Sequence, residues 1–306
     1  MSAVSSSERM LLPCGGRCWR YTVTPYPEDE DAKEELQGAL CSAASLGHQE
    51  CVDFALRKGA QINKLCHHPS VCDQTALHAA VWRCDKILMK SLIENHGAFV
   101  DVRQDKHQGN TPLIEAVQAH IYDMVELLLK YGASVNAVNR DHQSATNCAL
   151  RLGDNDVRIL RCLIHFGANI NCILFEKVRL QWYNKDEYDQ VVCLEKCKLI
   201  TVLHGGQLDP ETLEYDSQQK AMVLAQTRRR SLKHICRKWI RCHLLEIHPN
   251  MACVNYLARE VPTEVQNFLL TGDDNFSELA KSLEDEIFQN IGTSFRLRKE
   301  SNSSWD

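Results

Sequence analysis

The chain has 306 residues, 44% hydrophobic and 25% charged, with a formal net charge of −5, the balance of an ordinary soluble globular protein. An acidic excess of this size argues against a general nucleic-acid binder. No window of about 18 apolar residues suggests a membrane span, and the start, MSAVSSSERMLLPCGGRCWR, lacks the apolar run of a signal peptide. The fifteen cysteines therefore read as reduced thiols, and a cytoplasmic location is expected, with the nucleus also open. Neither a Gly-x-Ser-x-Gly nucleophile motif nor a Gly-x-x-x-x-Gly-Lys phosphate loop occurs, so no catalytic residue, cofactor or metal is assigned.

Residues 1–34 read as a flexible polar leader ending in the acidic run Glu28-Asp29-Glu30-Asp31. From about Leu36 the sequence repeats. A Gly-Ala pair, an apolar residue and Asn or Asp recur as GAQIN at 59–63, GAFVD at 97–101, GASVN at 132–136 and GANIN at 167–171, spaced 38, 35 and 35 residues apart. A second marker precedes each: Gly38-Ala39-Leu40, Thr75-Ala76-Leu77-His78, Thr111-Pro112-Leu113 and Ser144-Ala145-Thr146. Thr or Ser at these positions can cap a helix, and Pro112 at its first turn gives up only an orphan N–H. Ala43, Ala44, Ala80 and Ala116 allow close packing, and each marker glycine can end a second helix in the left-handed conformation. The period and both markers resemble the ankyrin repeat, of about 33 residues. The resemblance implies an all-α solenoid over residues 35–209, with four clear repeats and a degenerate fifth ending near GGQLD at 205–209.

After a linker at 210–230, the stretch SLKHICRKWIRCHL at 231–244 has the spacing of an amphipathic helix. Leu232, Cys236 and Ile240 fall on one stripe, and Lys233, Arg237, Lys238 and Arg241 on a basic face read as solvated. The order Ser-Leu-x-x-x-Cys-x-x-x-Ile resembles the elongin-binding box that opens a SOCS box. Residues 231–270 would form a three-helix box, with 271–306 a tail carrying one more amphipathic helix. Repeats followed by such a box resemble the ankyrin-repeat and SOCS-box family, whose members are substrate receptors of ubiquitin ligases.

By that resemblance Ser231, Leu232, Cys236 and Ile240 would meet elongin C, itself paired with elongin B. Val261, Pro262, Val265 and Leu269 would face cullin-5 with its RING subunit. Family members show Leu-Pro-Φ-Pro at the cullin segment, whereas this chain has Thr263 in place of the second proline. The repeats would hold an unknown protein substrate, and register places Trp82, Arg83, Gln118 and Arg151 near the concave side. The competing reading is a plain ankyrin scaffold or inhibitor whose C-terminal helices only cap the stack. Cys66-His67-His68 with Cys72, Cys14 with Cys18, and Cys193 with Cys197 are soft-ligand pairs without the matched second pair of a zinc motif.

Overall fold

The structure is a computed structural model that describes residues 11–15, 17, 30–66, 74–104, 108–152, 157–169, 197–198, 240–241, 243–244, 246–247, 251 and 262–271. The elements among them are helices. The expected first helix of a fifth repeat, the linker, the start of the box and the tail lie outside these residues, as do His67, His68, Cys72, Cys18 and Cys193. The chain divides into one unit of Met1–Ala133 with Ala137–His142 and another of Ser134–Asn136 with Gln143–Asp306.

The first unit contains α1 (Glu30–Leu46), α2 (Gln49–Arg57), α3 (Ala76–Trp82), α4 (Lys86–Glu94), α5 (Pro112–Gln118) and α6 (Tyr122–Lys130). They alternate as the markers demand. Helices α1, α3 and α5 stack in a row, while α2, α4 and α6 each back onto their own partner. The alanines permit the stacking, since Ala43, Ala44, Ala80 and Ala116 are completely buried. Leu40, Leu77, Leu88, Leu113, Ile114 and Leu128 fill the space between the rows, so no pair could bury its apolar side without its neighbour.

The expected caps are present. Thr75 Oγ1 accepts from the His78 N–H at 3.5 Å, Thr111 Oγ1 from that of Ile114 at 3.3 Å with Pro112 in the first turn, and Asp85 closes α4 through the Leu88 N–H at 3.0 Å. The marker glycines all have positive φ, from +68° at Gly97 to +104° at Gly59, the conformation that stops each second helix. In the second unit Ser144 Oγ caps α7 (Ala145–Leu152) through the Asn147 N–H at 3.2 Å. Helix α8 (Arg158–His165) packs against α7, and α9 (Thr263–Thr271) lies in the same unit.

Three features differ from the sequence reading. Helix α1 begins at Glu30 rather than near Gly38, because acidic residues suit a helix N-terminus and Lys33 pairs with Glu30 at 2.8 Å. Leu12, expected in a flexible leader, is 1% exposed. The marker asparagines do more than turn the chain. Asn63 accepts from the Phe99 N–H at 2.7 Å and donates to the Gly97 carbonyl at 3.3 Å. Asn136 does the same with Asn169 and Gly167 in the next pair, at 2.7 and 3.3 Å. The first marker is thereby tied to the second, and the third to the fourth.

The turn between paired helices is also left-handed: φ is +72° at Gly47, +60° at Cys84 and +58° at His120. Only the first is glycine. At Gly47 an added Cβ would stand 2.3 Å from Arg83 Nε. His120 is exposed, so His120→Gly relieves strain without removing a buried contact. The variant should gain about 0.5–1 kcal/mol, the left-handed cost less the added freedom of the unfolded chain. A urea melt that shows no gain in midpoint would contradict this.

Candidate binding groove and the carboxy-terminal segment

In the first unit, the C-terminal ends of α3 and α5 and the chain leading into α5 line a concave groove of about 860 Å³. Trp82 and Arg83 leave the end of α3, while Glu115 and Gln118 come from α5, and Gln104, Gln108 and Asn110 from the preceding loop. Trp82 is 57% exposed despite its size. Arg83 Nε lies 3.7 Å from Asp85 Oδ2, a partly exposed pair that leaves much of the guanidinium open. Gln118 Oε1 accepts from Asn110 Nδ2 at 2.9 Å, and Asn110 Oδ1 from Asn139 Nδ2 at 3.0 Å.

Two titratable groups sit beneath this surface. Burial pushes the Glu115 carboxyl up to about 7, against the pull of hydrogen bonds from the Trp82 and Gln104 side chains. Its Oε2 is buried with no hydrogen-bond partner, which suits a carboxyl that keeps its proton near neutrality. Burial also pushes His78 down to about 4, a shift that its bond to the Asn110 backbone partly opposes. The His78 Nδ1 accepts from the Thr75 N–H at 3.4 Å and its hydroxyl at 2.9 Å. The Nε2–H then donates to the Asn110 carbonyl at 3.4 Å, which fixes the neutral tautomer.

This chemistry suits recognition. The imidazole is committed to the backbone, and Ser45 Oγ donates to the Cys41 carbonyl at 2.9 Å, so neither forms a nucleophile–base pair within the groove. Trp and Arg are both enriched at binding hot spots. The structure brings Trp82, Arg83 and Gln118 together in this groove, and Glu115 and Asn110 join them. Glu115 escaped the sequence reading because a lone carboxylate between apolar neighbours gives no motif. Arg151 belongs to α7 in the other unit, and its side chain is not among those described.

At the other end of the chain, Ser231, Leu232, Cys236 and Val261 lie outside the described residues. Ile240 is 36% exposed. Pro262, just before α9, and Val265 in its first turn are exposed, while Leu269 is buried. Arg241 is not the solvated base expected of it. Its guanidinium donates to the Ile164 carbonyl at 3.0 Å, the His165 carbonyl at 2.9 Å and the Leu269 carbonyl at 2.6 Å. The first two carbonyls lie in the last turn of α8, where a cation is favoured both by hydrogen bonding and by the helix dipole, and that of Ile164 also accepts the Gly167 N–H at 3.0 Å. Met251 is fully buried and donates its N–H to the Phe166 carbonyl at 3.0 Å. Within the second unit, then, parts of the expected box close the end of the last described repeat.

The family model described as "Ankyrin repeats (3 copies)" matches residues 40–139 and 85–173. Residues 40–173 are ankyrin repeats. The mouse B-cell lymphoma 3 protein homolog is 38% identical over 96 residues, 31% of this chain and 20% of that protein, so this likeness extends no further than a block of repeats. The zebrafish Neurogenic locus notch homolog protein 1 is 35% identical over 96 residues, 31% of this chain and 4% of its own length. A longer match is to human Ankyrin repeat and SOCS box protein 6, 26% identical over 259 residues, 79% of this chain and 56% of that protein. An alignment of 259 residues cannot fit inside 40–173, so it takes in sequence beyond the repeats. That supports kinship with the ankyrin-repeat and SOCS-box family. The chain spans about half the length of these relatives of the box family.

Among the described residues, no helix is long and apolar enough to cross a membrane.

Proposed function

We propose that this ankyrin-repeat chain is the substrate-recognition subunit of an elongin B/C–cullin-5 RING ubiquitin ligase. The repeats would hold the target protein, with Trp82, Arg83 and Gln118 in the groove and Arg151 on α7 as its first contacts. Ser231, Leu232, Cys236 and Ile240 would dock on elongin C; Val261, Pro262 and Val265 would meet the cullin, with Leu269 securing α9 from inside. The chain performs no chemistry of its own. It raises the local concentration of a substrate lysine beside a charged ubiquitin-conjugating enzyme, and the target is then ubiquitinated and degraded.

The observation that carries this reading is the likeness to Ankyrin repeat and SOCS box protein 6 over 79% of the chain, joined to the Ser-Leu-x-x-x-Cys-x-x-x-Ile order at 231–240. Burying Leu232 and its apolar neighbours in a dry pocket would supply roughly 1.5–3 kcal/mol per side chain, adequate for a small hot spot. The three Arg241 bonds favour a second reading, in which the C-terminal segment is a cap on a non-ligase scaffold.

Capture of co-expressed elongin B/C by the tagged full chain separates the two. The ligase reading expects Leu232→Ala with Cys236→Phe to reduce capture at least tenfold while leaving the helical circular-dichroism signal unchanged. Capture at the wild-type level by that variant would contradict the assignment of residues 231–240.

A further inference from the structure

Near the start of the first unit, three side chains that no sequence motif connects come together. Leu12 is buried, and Pro13 and Cys14 turn the chain so that the Gly15 N–H donates to the Leu12 carbonyl at 2.9 Å, with Gly15 at φ +67°. This turn delivers Cys14 to the N-terminus of α2. His48, the residue capping α2, and Cys51 stand three apart there, a spacing that puts both on one side of a helix. One ligand atom from each of Cys14, His48 and Cys51 lies within 4.8 Å of the other two. His48 Nδ1 is buried without a hydrogen-bond partner, and the side chain makes no capping bond to α2. An imidazole nitrogen kept from both water and protein has one bonding direction unmet, a costly state for a buried polar group. Cys14 and Cys51 are thiols rather than a disulfide.

We propose that Cys14, His48 and Cys51 form a zinc site. Two thiolates and an imidazole are the soft and borderline donors that zinc takes. Tetrahedral bonds of about 2.3 Å to sulfur and 2.0–2.1 Å to nitrogen put ligand atoms roughly 3.5–3.8 Å apart, so the observed cluster needs to close by about 1 Å, a side-chain rotation. Three protein ligands leave a fourth position for water or an external donor. The ion would clip the Leu12–Cys14 turn onto the first repeat. It would turn an apolar contact into a metal-dependent one, because the ligands are brought together only in the folded chain.

The test is titration of the reduced, metal-free full chain with Co²⁺ as the spectroscopic probe, followed by competition with Zn²⁺. The site predicts one equivalent of cobalt with thiolate-to-metal charge-transfer absorption, displaced by zinc. Cys14→Ser and His48→Asn should each weaken binding at least tenfold; asparagine retains the capping preference at position 48. Cys72→Ser, in the other soft-ligand stretch of the sequence, should leave it unchanged. Circular dichroism of the variants separates loss of a ligand from loss of the fold. Absence of thiolate–cobalt absorption in the wild type, or undiminished affinity in either folded ligand variant, would overturn the site.

Discussion

Leu128→Ala is expected to destabilise the chain by about 2–5 kcal/mol, the cost of removing a fully buried leucine and leaving the space unfilled. Leu128 lies on the inner side of α6 with no exposed surface, and its carbonyl accepts the Ala133 N–H that leads out of the helix at 3.0 Å. A domain of this kind has about 5–15 kcal/mol in total, so one such change removes a large part of it. In a stack whose repeats are stable only through their neighbours, the loss also spreads to the adjoining pairs. Ile87→Ala is the matched control. Ile87 is an isoleucine in α4, 80% exposed, and its removal should stay within about 0.5 kcal/mol. Urea denaturation compares them directly. Equal effects at the two positions would mean that the helix pairs do not pack as described.

A second large effect concerns pH. The folded chain holds Glu115 at about 7, above the ordinary 4.5, so it favours the protonated carboxyl. Its contribution is fully present below 4.5 and is lost as pH rises through 7. His78 behaves oppositely. The folded chain holds it at about 4, below the ordinary 6.5, so its contribution is full above 6.5 and is lost as pH falls towards 4. Each shift of about 2.5 units corresponds to roughly 3 kcal/mol over its window. Between about 4.5 and 6.5 the two slopes run against each other and should nearly cancel. Glu115→Gln removes one of them. Relative to the wild type, its stability should rise with pH by roughly 3 kcal/mol between 4.5 and 7. Denaturant melts at several pH values read this difference, and a constant gap between the two proteins would show that Glu115 is ionised in the folded state at neutral pH.

The repeat architecture was legible because its parts depend on local chemistry. Thr75, Thr111 and Ser144 can cap whatever helix follows, and Gly59, Gly97, Gly132 and Gly167 permit a conformation that other residues resist. These signals recur at a fixed period, so each strengthens the rest. Register along α3 and α5 was enough to bring Trp82, Arg83 and Gln118 to one groove. The start of α1 was missed because an acidic run reads equally as a solvated segment and as a favourable first turn. Arg241 was missed for a related reason. A basic helix face has the same pattern whether it meets water or, as here, the last carbonyls of another helix.

Other features depend on tertiary structure alone. Asn63 and Asn136 look like turn residues, and only the fold shows each reaching the backbone of the next marker. The approach of Cys14 to His48 and Cys51 joins positions more than thirty residues apart, with no spacing rule to announce it. Glu115 would pass for an ordinary surface carboxylate on α5, and its shift arises from burial, which outweighs the opposing hydrogen bonds from Trp82 and Gln104.

The proposed recruitment of a ligase core by sequence beyond the repeats is open to size-exclusion chromatography of the full chain with elongin B/C, followed by addition of cullin-5 and its RING subunit. A stoichiometric complex with elongin B/C that shifts again when the cullin is added, despite Thr263 in the cullin segment, is the expected result. Elution of the intact, folded chain apart from elongin B/C would contradict it, and would leave an ankyrin scaffold closed at one end by Arg241.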